Sequence, residues 1–211
     1  MNLPNKLTVL RVILIPFFVF FLLENFVLVP YKAYIALGIF IIASVTDFLD
    51  GAIARKRNLV TNFGKFMDPL ADKLLVISAL LCILFIDTPE VNRFGNKTLG
   101  LIAILVIVAR EFIISGFRLV ASDAGIVIAA SMWGKFKTAT TMVAICLMIV
   151  VGELPFLKDV TLVLFWVAVT LTIVSLVDYI AKNINVLSDA FSKKKEPETS
   201  YEAPAENTDN F

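Results

Sequence analysis

The sequence predicts an all-α integral membrane protein, with six transmembrane helices around a cytoplasm-facing polar cavity. Three observations lead there. Of 211 residues 59% are hydrophobic and the mean hydropathy is +0.87, whereas soluble domains rarely exceed about half apolar. The apolar residues gather in long runs: Val12–Leu23, Ala33–Val45, Leu74–Ile86, Leu99–Ala109, Ala139–Val151 and Val160–Val177. The basic residues collect in alternate loops.

A spanning helix needs about 20 residues, so several runs must draw in their polar shoulders. The first span is expected over 7–28. Lys6 and Arg11 lead into it as in a signal peptide, but Glu24, Asn25, Phe26 and Val27 form no small-residue cleavage site. The second, 33–56, is apolar at first and polar beyond Val45; the third, 69–87, reverses that order. The fourth, 98–121, carries Arg110 and Glu111 in apolar surroundings, and the fifth, 135–152, opens on Lys135 and Lys137. The sixth, 157–182, is apolar up to Val177. These spans make one domain over 1–190. Residues 191–211 combine Lys193–Lys195 with Glu196, Glu198, Glu202, Glu206, Asp209 and two prolines, and read as a disordered cytoplasmic tail.

With the N-terminus in the cytoplasm, only Lys32, Arg93, Lys97 and Lys158 of the 19 Lys and Arg residues fall outside. The positive-inside rule therefore puts both termini in the cytoplasm of a multi-pass cell-membrane protein. Cys82 and Cys146 lie in apolar runs and read as small packing residues. Histidine is absent. That excludes a histidine base, a phosphohistidine or an imidazole metal ligand, and leaves oxygen donors suited to Mg²⁺ or Mn²⁺.

Residues 47–72 break the apolar pattern with four aspartates. At 100° per residue Asp47, Asp50, Gly51 and Ala54 share one face of the second helix. Asp47 and Asp50 are i, i+3 neighbours near its C-terminal end. There, like charges repel each other and oppose the helix dipole. Asp68 and Asp72, an i, i+4 pair, are expected to open the third helix. Asp68 before Pro69 also reads as an N-cap with proline at the first helical position. Capping explains neither Asp72 nor the pair on the second helix. Intramembrane carboxylates are costly unless paired, hydrated or metal-bound, and two divalent cations would balance the four. Gly51 and Ala54 leave this face without bulk. Arg55, one turn on, has the paired donors to hold a phosphate. Gly64 reads first as a turn residue.

The pattern Asp47-x2-Asp50-Gly51-x2-Ala54-Arg55-x8-Gly64-x3-Asp68-x3-Asp72 resembles the signature of the CDP-alcohol phosphotransferase family, with every position filled. The resemblance implies an enzyme that transfers a phosphate-linked alcohol from a cytidine diphosphate donor to a second alcohol and releases CMP. It implies a two-metal site at Asp47, Asp50, Asp68 and Asp72, holding Mg²⁺ or Mn²⁺, with Asp72 as the catalytic base. Gly51, Ala54, Arg55 and Gly64 would line the cytidine diphosphate pocket. It also implies a homodimer among membrane lipids; no nucleic-acid partner is expected.

Arg110, Arg118, Lys135 and Lys137 gather on the cytoplasmic side of spans four and five. They read either as positive-inside charge with an Arg110–Glu111 pair, or as a pocket for a phosphorylated acceptor. The stretches Pro4-Asn5-x2-Thr8-x2-Arg11, Ala109-Arg110-Glu111-Phe112 and Gly134-Lys135-Phe136-Lys137-Thr138 resemble family members that take CDP-diacylglycerol as donor and sn-glycerol 3-phosphate as acceptor. Asn5 and Thr8 share a face, and either cap the first helix or reach the nucleotide. Thr141 departs from the glutamine expected in such members. The alternatives are a sister enzyme with another acceptor (inositol phosphate, serine or a lipid) and, in a different class, a cation transporter. A transporter would place its acids nearer the midplane, on broken or repeated helices.

Overall fold

The computed structural model describes the backbone of residues 3–23, 31–57, 62–123 and 131–192. Within these, side chains are described except at 3–5, 47–57, 62–66, 68–69, 120, 123 and 185–192. The described residues form the helices α1 (Leu3–Leu23), α2 (Lys32–Arg57), α3 (Asn62–Phe85), α4 (Lys97–Asp123), α5 (Met132–Val150) and α6 (Lys158–Ser192). A single 3₁₀ turn at Pro155–Leu157 leads into α6. The expected tail lies outside the described residues from 193 onward.

Windows within α1, α4 and α5, and one running from the 3₁₀ turn through α6, are long and apolar enough to cross a membrane: Lys6–Leu23, Lys97–Leu119, Met132–Val150 and Pro155–Ile184. α2 is apolar over the shorter stretch Lys32–Thr46. Its remaining turns carry Asp47, Asp50, Arg55, Lys56 and Arg57, and the first turns of α3 carry Lys65, Asp68, Asp72 and Lys73. The apolar stretches of α2 and α3 are those of their described side chains alone, which end at Thr46 on α2 and run without a break only from Leu70 on α3.

One expectation is corrected. Asp68 and Pro69 do not open the third helix, because α3 begins at Asn62 and both residues lie within it. Gly64 is likewise helical, not part of a turn. The Asp-Pro pair is a strong local start signal, but propensity is only a weak prior against tertiary context. The chain between α2 and α3 is correspondingly shorter than the sequence implied.

α1 packs on α2 and α3, α5 on α6 and α2, and α4 on α6 and α3. In lipid, close packing rather than water exclusion drives such contacts, and small residues permit it. Ala36, Phe40 and Ala43 recur along one stripe of α2, and Ala71, Leu75 and Ala79 along one stripe of α3; all are buried. Phe18 of α1 fills the gap against Phe40, with ring centroids 5.8 Å apart. Arg11 is fully buried and donates from Nε to the Ala43 carbonyl at 3.3 Å, tying α1 to α2 by a polar contact inside the bundle.

The loop between α3 and α4 anchors the far end. Arg93 donates to the Met148 carbonyl at 2.9 Å and pairs with Asp87, so it reaches the last turns of α5. Burial pushes its guanidinium below the usual arginine range, and the Asp87 charge opposes that. Asn96 Oδ1 accepts from the Thr98 and Leu99 amides and caps α4. Gly100 is required: a Cβ there would stand 2.6 Å from Phe94 Cγ. That ring meets Phe165 of α6 edge-on at 5.0 Å.

Candidate active site

Three helices each lend one stripe to a single cavity. α3 supplies Asp72, Lys73, Val76 and Ile77; α4 supplies Ile107 and Glu111; α5 supplies Lys137, Thr138, Thr141 and Met142. On each helix these positions are a turn apart, so they share a face. The charged residues of α3 and α5 precede their apolar neighbours in sequence, and on the antiparallel α4 the order reverses. One end of the cavity is therefore polar and the other apolar. Lys73 is buried at this cavity beside Asp72, Glu111 and Lys137.

Glu111 organises the cations. Its Oε1 accepts from Arg110 Nη1 at 2.8 Å and from Lys137 Nζ at 2.6 Å. Arg110 is 8% exposed and Lys137 3%. Buried cations at this spacing require a counter-charge, because desolvation is otherwise uncompensated. Arg110 is held at its other end by Ser175 of α6, whose Oγ accepts from Nη2 at 2.6 Å. Its Nε, also buried, has no hydrogen-bond partner among the described residues. α5 starts directly over this group: Ser131 caps it by accepting from the Gly134 amide at 3.2 Å. A Cβ on Gly134 would lie 3.6 Å from Arg110 Nη2.

The four cations that the sequence groups together thus divide. Arg110 and Lys137 are buried around Glu111. Arg118 is exposed and sits over the Tyr179 ring, 5.8 Å from its centroid. Lys135 is exposed. Thr141, at the position where glutamine was expected, lines the cavity and donates to the Lys137 carbonyl at 2.8 Å. Thr8 is buried in α1.

Of the expected metal ligands, Asp72 has a described side chain, half-buried at the cavity. Asp47 and Asp50 lie on α2 and Asp68 on α3, and their side chains are outside the described residues, as are those of Asn5, Ala54 and Arg55. Gly51 and Gly64 belong to the same α2 and α3 segments. Among the described residues, no three acidic or cysteine side chains come together as a metal site.

Sequence reasoning passed over three residues as parts of this site. Lys73 was visible as a charge beside Asp72. Glu111 was visible as a neighbour of Arg110, but not as a partner of Lys137, 26 residues away. Ser175 carried no signal at all: it is a hydroxyl in an apolar helix, and its partner is 65 residues away.

A family model described as CDP-alcohol phosphatidyltransferase matches residues 1–174. A relative from Bacillus subtilis (strain 168), named CDP-diacylglycerol--glycerol-3-phosphate 3-phosphatidyltransferase, is 41% identical over 88% of this chain and 97% of its own. Relatives of the same name from Haemophilus influenzae and Rickettsia bellii are 37% and 36% identical, over 85% and 82% of this chain and 91% of their own lengths. The matched segment takes in every helix that lines the cavity and the whole aspartate signature, and so the chain belongs to the CDP-alcohol phosphatidyltransferase family.

Proposed function

We propose that this protein transfers the phosphatidyl group from CDP-diacylglycerol to sn-glycerol 3-phosphate, giving phosphatidylglycerophosphate and CMP. The observation that carries this reading is the shared cavity: Asp72, the last carboxylate of the signature, opens onto the same space as Glu111 and Lys137. A base for an alcohol and a cationic network for an anionic alcohol thus stand side by side.

Asp72 takes the proton of the acceptor hydroxyl as its oxygen bonds to the phosphorus that carries the diacylglycerol; the bond from that phosphorus to CMP breaks. A base acts only within hydrogen-bond reach of the proton, and a half-buried carboxylate lining the cavity is suited to that. Arg110 and Lys137 grip the acceptor phosphate, while Arg118 and Lys135, both exposed, draw it in from the water. Asn5, Thr8, Gly51, Ala54, Arg55 and Gly64 hold the cytidine diphosphate.

The donor set of Asp47, Asp50, Asp68 and Asp72 is all carboxylate oxygen, which fits two hard divalent ions, Mg²⁺ or Mn²⁺. When bound, such ions supply charge neutralisation at a diphosphate. The placement we favour has six spans in the cell membrane, α2 and α3 completing the set, over a catalytic domain of residues 1–190 working as a homodimer. Both termini and the tail are cytoplasmic. The diacyl chains then stay in the bilayer while the diphosphate reaches an interfacial site.

An acceptor screen tests this. Purified protein with CDP-diacylglycerol should release CMP with sn-glycerol 3-phosphate and not with serine or inositol phosphate. Arg110→Ala should raise the KM of that acceptor. Release with serine at an equal rate would refute the acceptor assignment.

A further inference from the structure

We propose that Ser175 of α6 is a positioning residue for acceptor recognition, acting through Arg110. The inference rests on the reading of Arg110 as a ligand of the acceptor phosphate.

Ser175 differs from the threonines near it on α6. Thr170 and Thr172 bond back to their own helix, on the carbonyls of Trp166 at 2.9 Å and Ala168 at 2.7 Å. Such bonds satisfy a hydroxyl locally and hold nothing else. Ser175 instead reaches across to α4, where its Oγ accepts from Arg110 Nη2 at 2.6 Å, and it is 1% exposed. A guanidinium is a rigid planar fork. Glu111 fixes one prong and Ser175 the other, and two fixed points on a plane leave little freedom for the third donor.

That third donor, Nε–H, is buried without a partner among the described residues. A buried donor left unmade is expensive, by more than an ordinary hydrogen bond returns. Arg110 lies beside the cavity, bonded to Glu111, which lines it, and in the proposed complex the unmade Nε–H is the donor a phosphate oxygen would meet. The first turn of α5 packs over both groups at Gly134, where a Cβ would stand in ordinary contact with Arg110 Nη2 and Ser175 Oγ, at 3.6 and 3.8 Å. Ser175 itself touches no substrate. Its effect is on the entropy and aim of Arg110, and so on acceptor affinity alone.

The test is a mutant cycle on the full-length protein in lipid nanodiscs. Ser175→Ala should raise the KM for sn-glycerol 3-phosphate about tenfold, equivalent to roughly 1.4 kcal/mol. The KM for CDP-diacylglycerol and kcat should shift less than about twofold. In an Arg110→Ala background the same substitution should have no further effect on acceptor KM, and Ser175→Thr, which keeps the hydroxyl, should restore most of the loss. An unchanged acceptor KM in Ser175→Ala, an equal rise in both substrates' KM, or the same rise with Arg110 already removed would each overturn the inference while leaving the proposed function intact. If Arg110→Ala itself leaves acceptor KM unchanged, the acceptor reading fails, and the inference with it.

Discussion

Replacing Glu111 with alanine removes the single oxygen that Arg110 and Lys137 share at 2.8 and 2.6 Å. Both cations stay where they are, 8% and 3% exposed, with no carboxylate between them. Removing one partner of a buried ion pair costs about 3–5 kcal/mol, because a desolvated charge is left behind. The Glu111 side chain is 20% exposed, so water can enter part of the space it vacates and the lower end applies, about 3 kcal/mol. For a chain of this length, roughly 2–4 °C per kcal/mol puts the fall in Tm at about 6–12 °C. Fluorescence-detected unfolding in detergent measures it directly. Glu111→Gln keeps the accepting oxygen and should lose about half as much. Glu111→Ala combined with Lys137→Met should recover part of the loss, since one orphaned charge is gone. A Glu111→Ala protein that melts within about 1 °C of the unsubstituted one would refute the idea that this carboxylate balances the buried cations.

The other predictions separate the roles within the cavity and at the far end. Lys137→Ala should raise the KM for sn-glycerol 3-phosphate about tenfold or more, and the exposed Lys135→Ala no more than about threefold, read from initial rates of CMP release. Asp72→Asn should lower kcat by about 10²-fold or more while leaving the Tm within a few degrees; near-native turnover would remove Asp72 from the role of base. Gly100→Ala should lower Tm and leave both KM values alone, because its Cβ would collide with the Phe94 ring at 2.6 Å and neither residue lines the cavity.

The parts of this fold that are periodic in sequence were legible, and the parts made by distant pairing were not. Apolar runs such as Leu99–Ala109 and Val160–Val177 lie within α4 and α6, where continuous hydrophobicity is itself the physical cause of the helix in lipid. The start of α3 was misread because Asp68-Pro69 carries a local start signal that the helix overrides from Asn62. The aspartate signature was legible because the spacing of carboxylates on a helix face is a local property. Glu111 is the intermediate case. Its bond to Arg110 joins chain neighbours, but its bond to Lys137 exists only once α5 has packed beside α4. The clasp from Ser175 depends on the packing of α4 on α6, which no residue pattern within α6 encodes.

The central claim is that one cavity brings the signature's last carboxylate to an anionic alcohol. Its most direct test follows two products together: CMP in water and labelled sn-glycerol 3-phosphate appearing in the lipid phase, from purified protein with CDP-diacylglycerol vesicles and Mg²⁺ or Mn²⁺. The account predicts one mole of each per turnover, both abolished by a chelator and restored by the metal. CMP release without incorporation of label, or incorporation that persists with the metal removed, would contradict it.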